Sequence, residues 1–499
     1  MTPMASEIEL KLALPEASQQ SFLRQALLKE AAARQTGRLV NVYYDTPDLA
    51  LRRLGIALRL RRQRGNWLQT VKCSGQSAGG LTTRPEWEKP YQGRFDFSAV
   101  DDATVRAKLE RPKTLSRLVP IFETSFLRTV WHFDGMLLML DRGWIASAGR
   151  REAISEVEIE VTDGSVTAVL ALAERLAERL PLAPALLSKA ERGYRLHQAS
   201  PIAPVKALPL PAEIAQLAPL AAFRAIAFSC IEHLQLNRDG TVGSENPEYI
   251  HQMRVATRRL RASIRLFAPL LPTSFTEAIL PPLRSLMGLL GRVRDLDVLL
   301  EETVAPVSAA LPAEPRLVAI AGIITDRRFH ARADAVHLLE SRKYGQAALR
   351  ITASLHALEA DNNATATATL EQFAATRLKR LRRKVRRLAS EAKLDDPASL
   401  HAVRIGVKRL RYALEFFTPL AQGKARRRLA ERLAEVQTTL GQLNDLANAG
   451  RLLMDCAGED LRLREAVTLI GGWHGPRHAA LIAQLPPLLD ELTRLPRLS

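Results

Sequence analysis

Acidic and basic residues alternate with aliphatic ones in a short segment near the N-terminus, Glu7-Ile8-Glu9-Leu10-Lys11. Successive side chains of a β-strand point to opposite faces, so a strand here would place two carboxylates and an ammonium on one face. Carboxylates hold hard divalent cations, and ammonium groups bind anions. A single alternation of this kind is more often a surface strand with one face in water, so the rest of the chain decides its meaning.

The same alternation recurs in three further segments of the first 200 residues. They carry Arg59 and Arg61, Glu86 and Glu88, and Glu156, Glu158 and Glu160. So many strands with one charged face predict a closed barrel with a charged lumen and an apolar outside covered by helices. Glutamates in such a lumen suit Mg²⁺, while arginines and lysines suit phosphate oxygens. This combination meets the needs of phosphoryl transfer, which are charge neutralisation, positioning and a metal-activated water.

Other common chemistries find no support in the sequence. It contains no Walker loop, HExxH motif or Ser-His-Asp arrangement, and its three scattered cysteines lack the spacing of a zinc site or a disulfide framework.

The 71 Lys and Arg residues exceed the 53 Asp and Glu residues and give a net charge of +18, which predicts a polyanionic partner. No apolar run is long enough to span a bilayer, and a charged strand so near the start leaves no room for a signal peptide, so we expect a cytoplasmic protein.

The charged residues of the first 200 positions follow an order that a known family shares. After ExExK at Glu7, Glu9 and Lys11 come Tyr43-Tyr44-Asp45-Thr46-Pro47, Arg59 with Arg61, Lys72, Glu86 with Glu88, Arg128, Asp141, the strand with Glu156, Glu158 and Glu160, and Ser188-Lys189. This ordered set resembles the CYTH domain of the triphosphate tunnel metalloenzyme superfamily over roughly residues 5 to 200.

The resemblance implies an eight-stranded antiparallel tunnel that binds a triphosphate together with Mg²⁺ or Mn²⁺. By resemblance, the phosphate-binding residues are Lys11, Arg59, Arg61, Lys72, Arg128 and Lys189. The implied metal ligands are Glu7, Glu9, Glu158 and Glu160, with Glu86, Glu88, Asp141 and Glu156 as further tunnel residues. Asp141 either orients a ligand or begins an Asp141-Arg142-Gly143 turn. One departure is Arg128-Thr129-Val130, because members of the family commonly carry a lysine where this chain has Val130.

The elements that must position these residues change in type near residue 200. Before it, strand-period segments alternate with turn residues and with one amphipathic helix candidate, Thr167 to Leu180. The Pro-rich segment 201–214 is typical of a linker, and beyond it the sequence is rich in Ala, Leu and Arg with helical periodicity.

The helical half contains an internal repeat. His251-x-x-Arg254-x-x-x-Arg258-Arg259-Leu260-Arg261 returns as His401-x-x-Arg404-x-x-x-Lys408-Arg409-Leu410-Arg411. Leu290-Gly291 followed by Asp295 returns as Leu440-Gly441 followed by Asp445, so the offset from 251 to 401 and from 295 to 445 is 150 residues in both cases. A common offset in two separated motifs predicts a duplicated helical unit, with copies near 215–360 and 365–499.

The repeated motif places its basic residues on one helix face. His251, Arg254, Arg258, Arg261 and Arg265 fall within a sector of about 80°, and His401, Arg404, Lys408 and Arg411 form the same stripe in the second copy. Like charges three and four positions apart repel, so this face needs an anion, either a bound polyanion or internal partners such as Asp295, Asp297 and Asp445. The simpler alternative is a solvated basic face.

The two His-containing basic helices in a duplicated unit resemble a CHAD domain over about residues 215 to 499. The family implies two four-helix bundles around a basic groove that binds inorganic polyphosphate and can target a protein to polyphosphate granules. Aromatic residues make up only 5% of the chain, which argues against stacking on nucleic acid bases, so we regard a nucleic acid partner as the weaker hypothesis.

Together these patterns predict an α+β chain with an antiparallel eight-stranded β-barrel and flanking helices over residues 1–200, a linker over 201–214, and an all-α duplicated four-helix-bundle domain over 215–499. The predicted function is hydrolysis of inorganic tripolyphosphate to diphosphate and phosphate by a cytoplasmic protein that binds polyphosphate, including polyphosphate granules. The alternatives are a non-catalytic polyphosphate-binding protein and a tunnel enzyme for an organic triphosphate, either thiamine triphosphate or a nucleotide, adenylate cyclase included.

Overall fold

The computed structural model describes residues 6–63, 65–358, 369–420 and 423–496. The chain forms two compact units, of which the first comprises Met1–Ala203 and Leu339–Ala357 and the second Pro204–Leu338 and Leu358–Ser499. The return of Leu339–Ala357 to the first unit has no counterpart in the sequence prediction. The predicted boundary between the two helical copies, at 360–365, lies outside the described residues.

The first unit is built on ten antiparallel strands. They are β1 (Ser6–Ala13), β2 (Ala33–Asp45), β3 (Ile56–Gln63), β4 (Asn66–Cys73), β5 (Gln76–Ala78), β6 (Leu81–Pro90), β7 (Val119–Phe133), β8 (Met136–Ser147), β9 (Arg150–Val161) and β10 (Ala183–Pro184). Eight of them close into a barrel in the order β1-β9-β8-β7-β2-β3-β4-β6, because β6 pairs back with β1, while β5 and β10 are short additions. The predicted eight-stranded antiparallel barrel is confirmed.

Short helices accompany the barrel. They are α1 (Gln19–Leu23), α2 (Ala50–Arg53), α3 (Ala103–Leu109), α4 (Pro112–Leu115), α5 (Val166–Ala177) and α6 (Lys189–Gln198). The aliphatic residues of each alternating strand point outward: Leu10 and Leu12 of β1 and Ile159 of β9 are fully buried in a core that they share with α5. Since side chains alternate along a strand, burying the aliphatic face fixes the charged face toward the lumen.

The remaining helices follow the barrel strands in the sequence, and most of them are long. They are α7 (Pro219–Leu236), α8 (Arg238–Gly243), α9 (Pro247–Phe267), α10 (Thr273–Val298), α11 (Ala305–Ala310), α12 (Pro315–Glu340), α13 (Arg342–Ala357), α14 (Leu370–Ser390), α15 (Pro397–Phe416), α16 (Lys424–Ala457) and α17 (Leu461–Thr493), and a π-helical stretch joins α10 to α11. The predicted all-α half is thereby confirmed. None of these helices, within the residues that the structure describes, is long and apolar enough to span a membrane.

Four phenylalanines related by the repeat hold the second unit together. Phe223 and Phe373 occupy equivalent positions in the two copies, as do Phe267 and Phe417. The ring centroid of Phe267 lies 5.5 Å from Phe223, 5.0 Å from Phe373 and 5.8 Å from Phe417. The two copies therefore share one aromatic core, which places the basic helices α9 and α15 side by side.

Helix α13 packs against α5 and the short strand β10 in the first unit. Its Leu349 is fully buried in the same core as β1, and the hydroxyl of Thr352 donates to the carbonyl of Gly79 at 3.3 Å. Gly79 and Gly80 form the turn before β6 with positive φ angles of 64° and 94°, and a Cβ on Gly79 would come within 2.5 Å of Thr352 Oγ1. Both the backbone conformation and this close approach require glycine.

Candidate active site and basic helices

The barrel lumen is a cavity of about 750 Å³ lined mainly by charged side chains. Twelve of the fourteen tunnel residues predicted from the sequence line it, namely Glu7, Glu9, Lys11, Arg59, Arg61, Lys72, Glu86, Glu88, Arg128, Glu158, Glu160 and Lys189. The other two, Asp141 and Glu156, are buried behind this surface and contact Lys189. The strands thus bring together residues that lie up to 182 positions apart, between Glu7 and Lys189.

One cluster surrounds the ammonium of Lys189. This group lies 2.7 Å from Asp141 Oδ2 and 3.0 Å from Glu158 Oε1, and it also contacts Glu156. Arg128 donates to both oxygens of Asp141, at 2.7 Å and 2.6 Å, and to Glu158. Burial opposes ionisation of Glu158, but Lys189, Arg128 and Lys11 outweigh it and hold the pKa of this carboxyl well below its usual range. The same carboxylates raise the pKa of Lys189, so both partners remain charged.

Local sequence explains why Lys189 occupies this position. Ser188 is the N-cap of α6 and forms a capping box with Glu191, which begins the helix directly at Lys189. Further along α6, Tyr194 donates to the buried carboxylate of Asp45 at 3.0 Å. Asp45 also accepts hydrogen bonds from the backbone N–H groups of Leu51 and Arg52 in α2. The Tyr-Tyr-Asp-Thr-Pro segment is therefore a structural element that joins α2 and α6 to the barrel.

A second cluster surrounds Glu7 and Glu9. Lys72 Nζ lies 2.7 Å from Glu7 and 2.7 Å from Glu86, and Arg84 reaches Glu7 at 3.0 Å and Glu9 at 2.7 Å. Burial, together with the neighbouring Arg59 and Arg84, lowers the pKa of Lys72, although Glu7 and Glu86 act against this.

A third cluster is formed by the arginine strand β3 and the end of β6. Arg59 lies 3.3 Å from Glu86, and Arg61 lies 3.5 Å from Glu88. Arg61 also donates to the side-chain oxygen of Asn41 at 3.1 Å. The guanidinium groups are thus held in position by polar partners, with Arg59 only 7% exposed.

Glu160 differs from the other lumen carboxylates. It lies directly opposite Glu9 in the pairing of β1 with β9, and no ion pair joins it to a cation among the residues that the structure describes. Burial and the charges of Glu7 and Glu9 raise the pKa of Glu160 to about 7. Glu160 thus adds a third carboxylate to the lumen beside Glu7 and Glu9, which are themselves ion-paired with Lys72 and Arg84. Carboxylate oxygens are the ligands that Mg²⁺ prefers, so these three residues have the chemistry of the implied metal ligands.

Another acidic group has the spacing of a metal site. Carboxylate oxygens of Asp141, Glu156 and Glu158 lie within 4.8 Å of one another. The ammonium of Lys189 contacts all three, so a cation already occupies the centre of this group. Of the four predicted metal ligands, Glu158 belongs to this ammonium-binding group.

The turn interpretation of Asp141 is wrong. Asp141 lies in the middle of β8, is 0% exposed and pairs across the sheet with Arg128. Gly143 continues the same strand, and a Cβ there would come within 2.1 Å of the carbonyl oxygen of Ser125. The glycine thus permits close approach of two strands, and Asp141 orients Arg128 and Lys189.

Arg84 and Tyr43 are lumen residues that the sequence prediction missed. Arg84 precedes Glu86 and Glu88 at the same two-residue spacing, so the strand period was a signal for it. Tyr43 packs face to face on Phe122 at 4.4 Å, and a hydrogen bond from Arg59 and the charge of that residue outweigh burial and lower the pKa of its phenol. The alternation along β2 was a signal for Tyr43 as well. Its contacts with Arg59 of β3 and Phe122 of β7 are tertiary, however, and cannot be derived from the sequence of β2.

In the second unit, the two basic stripes meet. Arg258 of α9 donates to the hydroxyl of Tyr412 in α15 at 2.5 Å, and Arg254 lies 3.7 Å from Asp295. Burial and the charges of Arg404 and Arg258 lower the pKa of Lys408 to about 7. The prediction that Asp297 is an ion-pair partner of the basic stripe is wrong, because its buried carboxylate pairs with Arg328 of α12.

Not all members of the predicted polyphosphate set lie together. Arg254, Arg258, Arg404 and Lys408 are close enough to perturb one another's ionisation, and His251 lies beside Arg254 and Arg258. His401 is exposed, with Nδ1 3.2 Å from Asn444. The structure places Arg261 and Arg265 farther along α9, and Arg411 lies over the ring of Tyr412.

Comparison with known families matches residues 5–194 to the CYTH domain and residues 225–454 to the CHAD domain. The chain combines a CYTH domain with a CHAD domain. The predicted pair of families and their order are confirmed.

A curated relative of this chain is the inorganic triphosphatase of Haemophilus influenzae, which is 32% identical over 200 residues. The match covers 39% of this chain and 55% of the relative, so the chain spans about half the length of that relative. The CHAD domain from the plant Ricinus communis has a crystal structure that is 32% identical with a TM-score of 0.52, and the match covers 59% of this chain and 98% of that chain. The fold of the CHAD domain is thus supported by a solved structure.

Proposed function

We propose that the CYTH domain is a metal-dependent triphosphatase whose substrate is inorganic tripolyphosphate. The observation that carries the proposal is the composition of the lumen, where the carboxylates of Glu7, Glu9 and Glu160 lie among buried lysines and arginines. Hydrolysis adds water to the terminal phosphorus, breaks its bond to the bridging oxygen and releases phosphate and diphosphate.

Charge balance explains why a divalent cation belongs to this reaction. The lumen contains carboxylates as well as cations, so a highly charged triphosphate must bring positive charge with it. Mg²⁺ or Mn²⁺ at Glu7, Glu9 and Glu160 would neutralise phosphate oxygens and lower the pKa of a bound water. Lys11, Arg59, Arg61, Lys72, Arg84 and Arg128 would orient the phosphate chain and stabilise the charge that develops on the departing diphosphate.

An inorganic substrate fits the aromatic residues of the lumen. Tyr43 is stacked on Phe122, and Phe126 lies beneath Arg128 and Lys189, whose charged groups are 5.6 Å and 5.0 Å from its ring centroid. These rings support the cations and are not placed to sandwich a nucleobase or a thiazolium ring. The name of the Haemophilus influenzae relative agrees with this choice.

A substrate panel tests the proposal. Tripolyphosphate, thiamine triphosphate, ATP and long-chain polyphosphate should be compared at saturating Mg²⁺ and Mn²⁺ by kcat/KM. We expect tripolyphosphate to be hydrolysed with the highest kcat/KM, and preference for ATP or thiamine triphosphate would replace the substrate assignment. A finding of no turnover on any of them would favour a silent tunnel, an alternative that Val130 supports because it removes one cation from the family pattern.

We further propose that the CHAD domain binds inorganic polyphosphate and that this binding places the protein on polyphosphate granules. The supporting observation is the meeting of Arg254, Arg258, Arg404 and Lys408, whose mutual repulsion a flexible polyanion would offset. Fluorescence microscopy of the tagged full chain should show granule association that Arg258→Glu abolishes. Equal affinity for DNA and polyphosphate at physiological salt would instead support nucleic acid binding.

Polyphosphate affinity should depend on pH through Lys408. Its pKa of about 7 means that the free protein loses this charge as pH rises above 7, whereas a bound polyanion favours the protonated form. Binding therefore takes up a proton, and we expect the affinity to fall about three- to tenfold between pH 7 and pH 8.5.

The control is Lys408→Arg, because arginine stays charged throughout this range. This variant should retain affinity at pH 8.5, which titration of labelled polyphosphate at constant ionic strength will measure. The role of Lys408 is contradicted if the wild-type protein and the variant have the same pH profile.

A further inference from the structure

The internal repeat pairs residues across the contact of α9 with α15 in two equivalent positions. Arg259 corresponds to Arg409, and Arg265 corresponds to Glu415, each at the offset of 150 residues. In the first position Arg259 Nε lies 2.7 Å from Glu415 Oε1, so the arginine has a carboxylate partner. In the second position the equivalent neighbours are Arg409 and Arg265, two like charges.

More arginines surround this second position. Arg261 lies on α9 one turn before Arg265, and the charge of Arg284 on α10 also acts on Arg261. Arg377 of α14 donates to the backbone carbonyl of Arg265 at 3.3 Å. Arg261, Arg265, Arg284 and Arg409 form no ion pair with a carboxylate in the part of the chain that the structure describes.

The surroundings of these residues do not balance their charge. Burial and neighbouring arginines lower the pKa of Arg261 and of Arg409 from its ordinary value, and no carboxylate acts against this in either case. The partial negative charge at the end of α9 is worth about half a charge, which is less than four guanidinium groups require. Arg265 and Arg284 are exposed to water, and Arg284 Nε also donates to the carbonyl of Leu280 at 3.4 Å. The Nε atoms of Arg261 and Arg409, in contrast, are buried and have no hydrogen-bond partner among the described residues.

We infer that Arg261, Arg265, Arg284 and Arg409 form an anion site, present at only one of the two repeat-related positions, that binds phosphate groups of inorganic polyphosphate. Guanidinium groups match phosphate oxygens in paired hydrogen bonds. Here Arg265 neighbours both Arg409 and Arg261, and Arg261 neighbours Arg284, so the four come from three helices. Arg265 is seven residues beyond Arg258, or about 10 Å along α9, so one polyphosphate chain could contact both this site and the basic group that contains Arg258 and Lys408. The choice of polyphosphate as the ligand rests on the proposed function of the CHAD domain. The difference between the two repeat-related positions, an ion pair in one and two arginines in the other, is independent of that proposal.

The variant Arg265→Glu tests the inference by giving Arg409 the partner that Arg259 already has. In the full chain at low salt, we expect the Tm to rise by about 1–3 °C without any anion. Binding of labelled long-chain polyphosphate should weaken, and the slope of log K against log salt concentration should become less steep by about one to two units. Arg428→Glu is the matched control, because it changes the net charge equally at an exposed residue of α16.

The salt slope decides the outcome. A slope in Arg265→Glu equal to that of the wild-type protein would overturn the site, and so would an equal change in Arg428→Glu, since the effect would then follow net charge alone. If the wild-type protein binds no polyphosphate, the proposed partner of the CHAD domain fails, and pyrophosphate then serves as the probe. A pyrophosphate-induced rise in Tm that Arg265→Glu removes and Arg428→Glu retains would still support the anion site, and its persistence in both would overturn it.

Discussion

Replacement of Glu160 by glutamine should abolish most tripolyphosphate hydrolysis while making the CYTH domain more stable. Loss of one metal-binding carboxylate should lower kcat/KM by about 10²–10³-fold at saturating Mg²⁺. Stability should change in the opposite sense, because the pKa of Glu160 is raised to about 7 by burial and by Glu7 and Glu9. A carboxyl whose pKa is raised by folding destabilises the fold increasingly between its ordinary pKa of 4.5 and its raised pKa of about 7, so glutamine should raise the Tm most at pH 8 and much less at pH 5.

The matched control is Glu88→Gln, which removes a lumen carboxylate that pairs with Arg59 and Arg61 and is partly exposed. We expect a smaller loss of kcat/KM and no change in the Mg²⁺ concentration for half-maximal rate. Glu9→Gln should behave like Glu160→Gln in activity. If both Glu9→Gln and Glu160→Gln reach half-maximal rate at the same Mg²⁺ concentration as the wild-type protein, Glu9 and Glu160 are not ligands of the metal.

Replacement of Lys189 by methionine should destabilise the CYTH domain strongly. It leaves Asp141, Glu156 and Glu158 within 4.8 Å of one another without their central ammonium. Removal of one partner from a buried ion pair typically costs about 3–5 kcal/mol, which corresponds to a fall in Tm of about 10 °C. The three carboxylates would then bind protons more readily than in the unfolded chain, so the variant should regain stability as the pH falls from 8 to 5.

Arg175→Met provides the control for removing a cation. Arg175 pairs with Glu30 on the outside of the barrel, where both side chains are about half exposed, so its loss should leave the Tm nearly unchanged. In Lys189→Met, Mn²⁺ should raise the Tm because the vacated centre now suits a metal ion. A Tm within 2 °C of wild type for Lys189→Met, measured in the same buffer, would contradict the assignment of this ammonium as the centre of the cluster.

Period-two alternation was sufficient to predict the barrel and most of its lumen. Each of β1, β3 and β9 has charged residues on one face and aliphatic residues on the other, and burial of the aliphatic face leaves one orientation. Arg84 could have been predicted by the same rule, because Arg84, Glu86 and Glu88 share a face. The sequence did not show which of the lumen carboxylates surround Lys189 and which are left for a metal. That division depends on distances between side chains of different strands, and these distances cannot be derived from residue spacing along the chain.

Other features depended on tertiary contacts. The Asp-x-Gly spacing at Asp141 suggested a turn. The structure instead uses Gly143 as a strand residue, because only glycine allows β8 to come so close to the carbonyl of Ser125 in β7. Helix α13 has an ordinary amphipathic pattern that does not reveal which unit it packs on. The helical period predicted the stripe that contains Arg265, whereas its opposition to Arg409 became visible only once α9 and α15 were placed together.

Phosphate release from tripolyphosphate by the full chain tests the central proposal most directly. Initial rates should be measured at pH 8 with Mg²⁺, with Mn²⁺ and with excess EDTA, for the wild-type protein and for Glu9→Gln. We predict one phosphate per tripolyphosphate, with a rate that EDTA abolishes and that Glu9→Gln lowers by about 10²–10³-fold. No release with either metal, or release that persists in EDTA and in Glu9→Gln, would contradict a metal-dependent triphosphatase in this lumen.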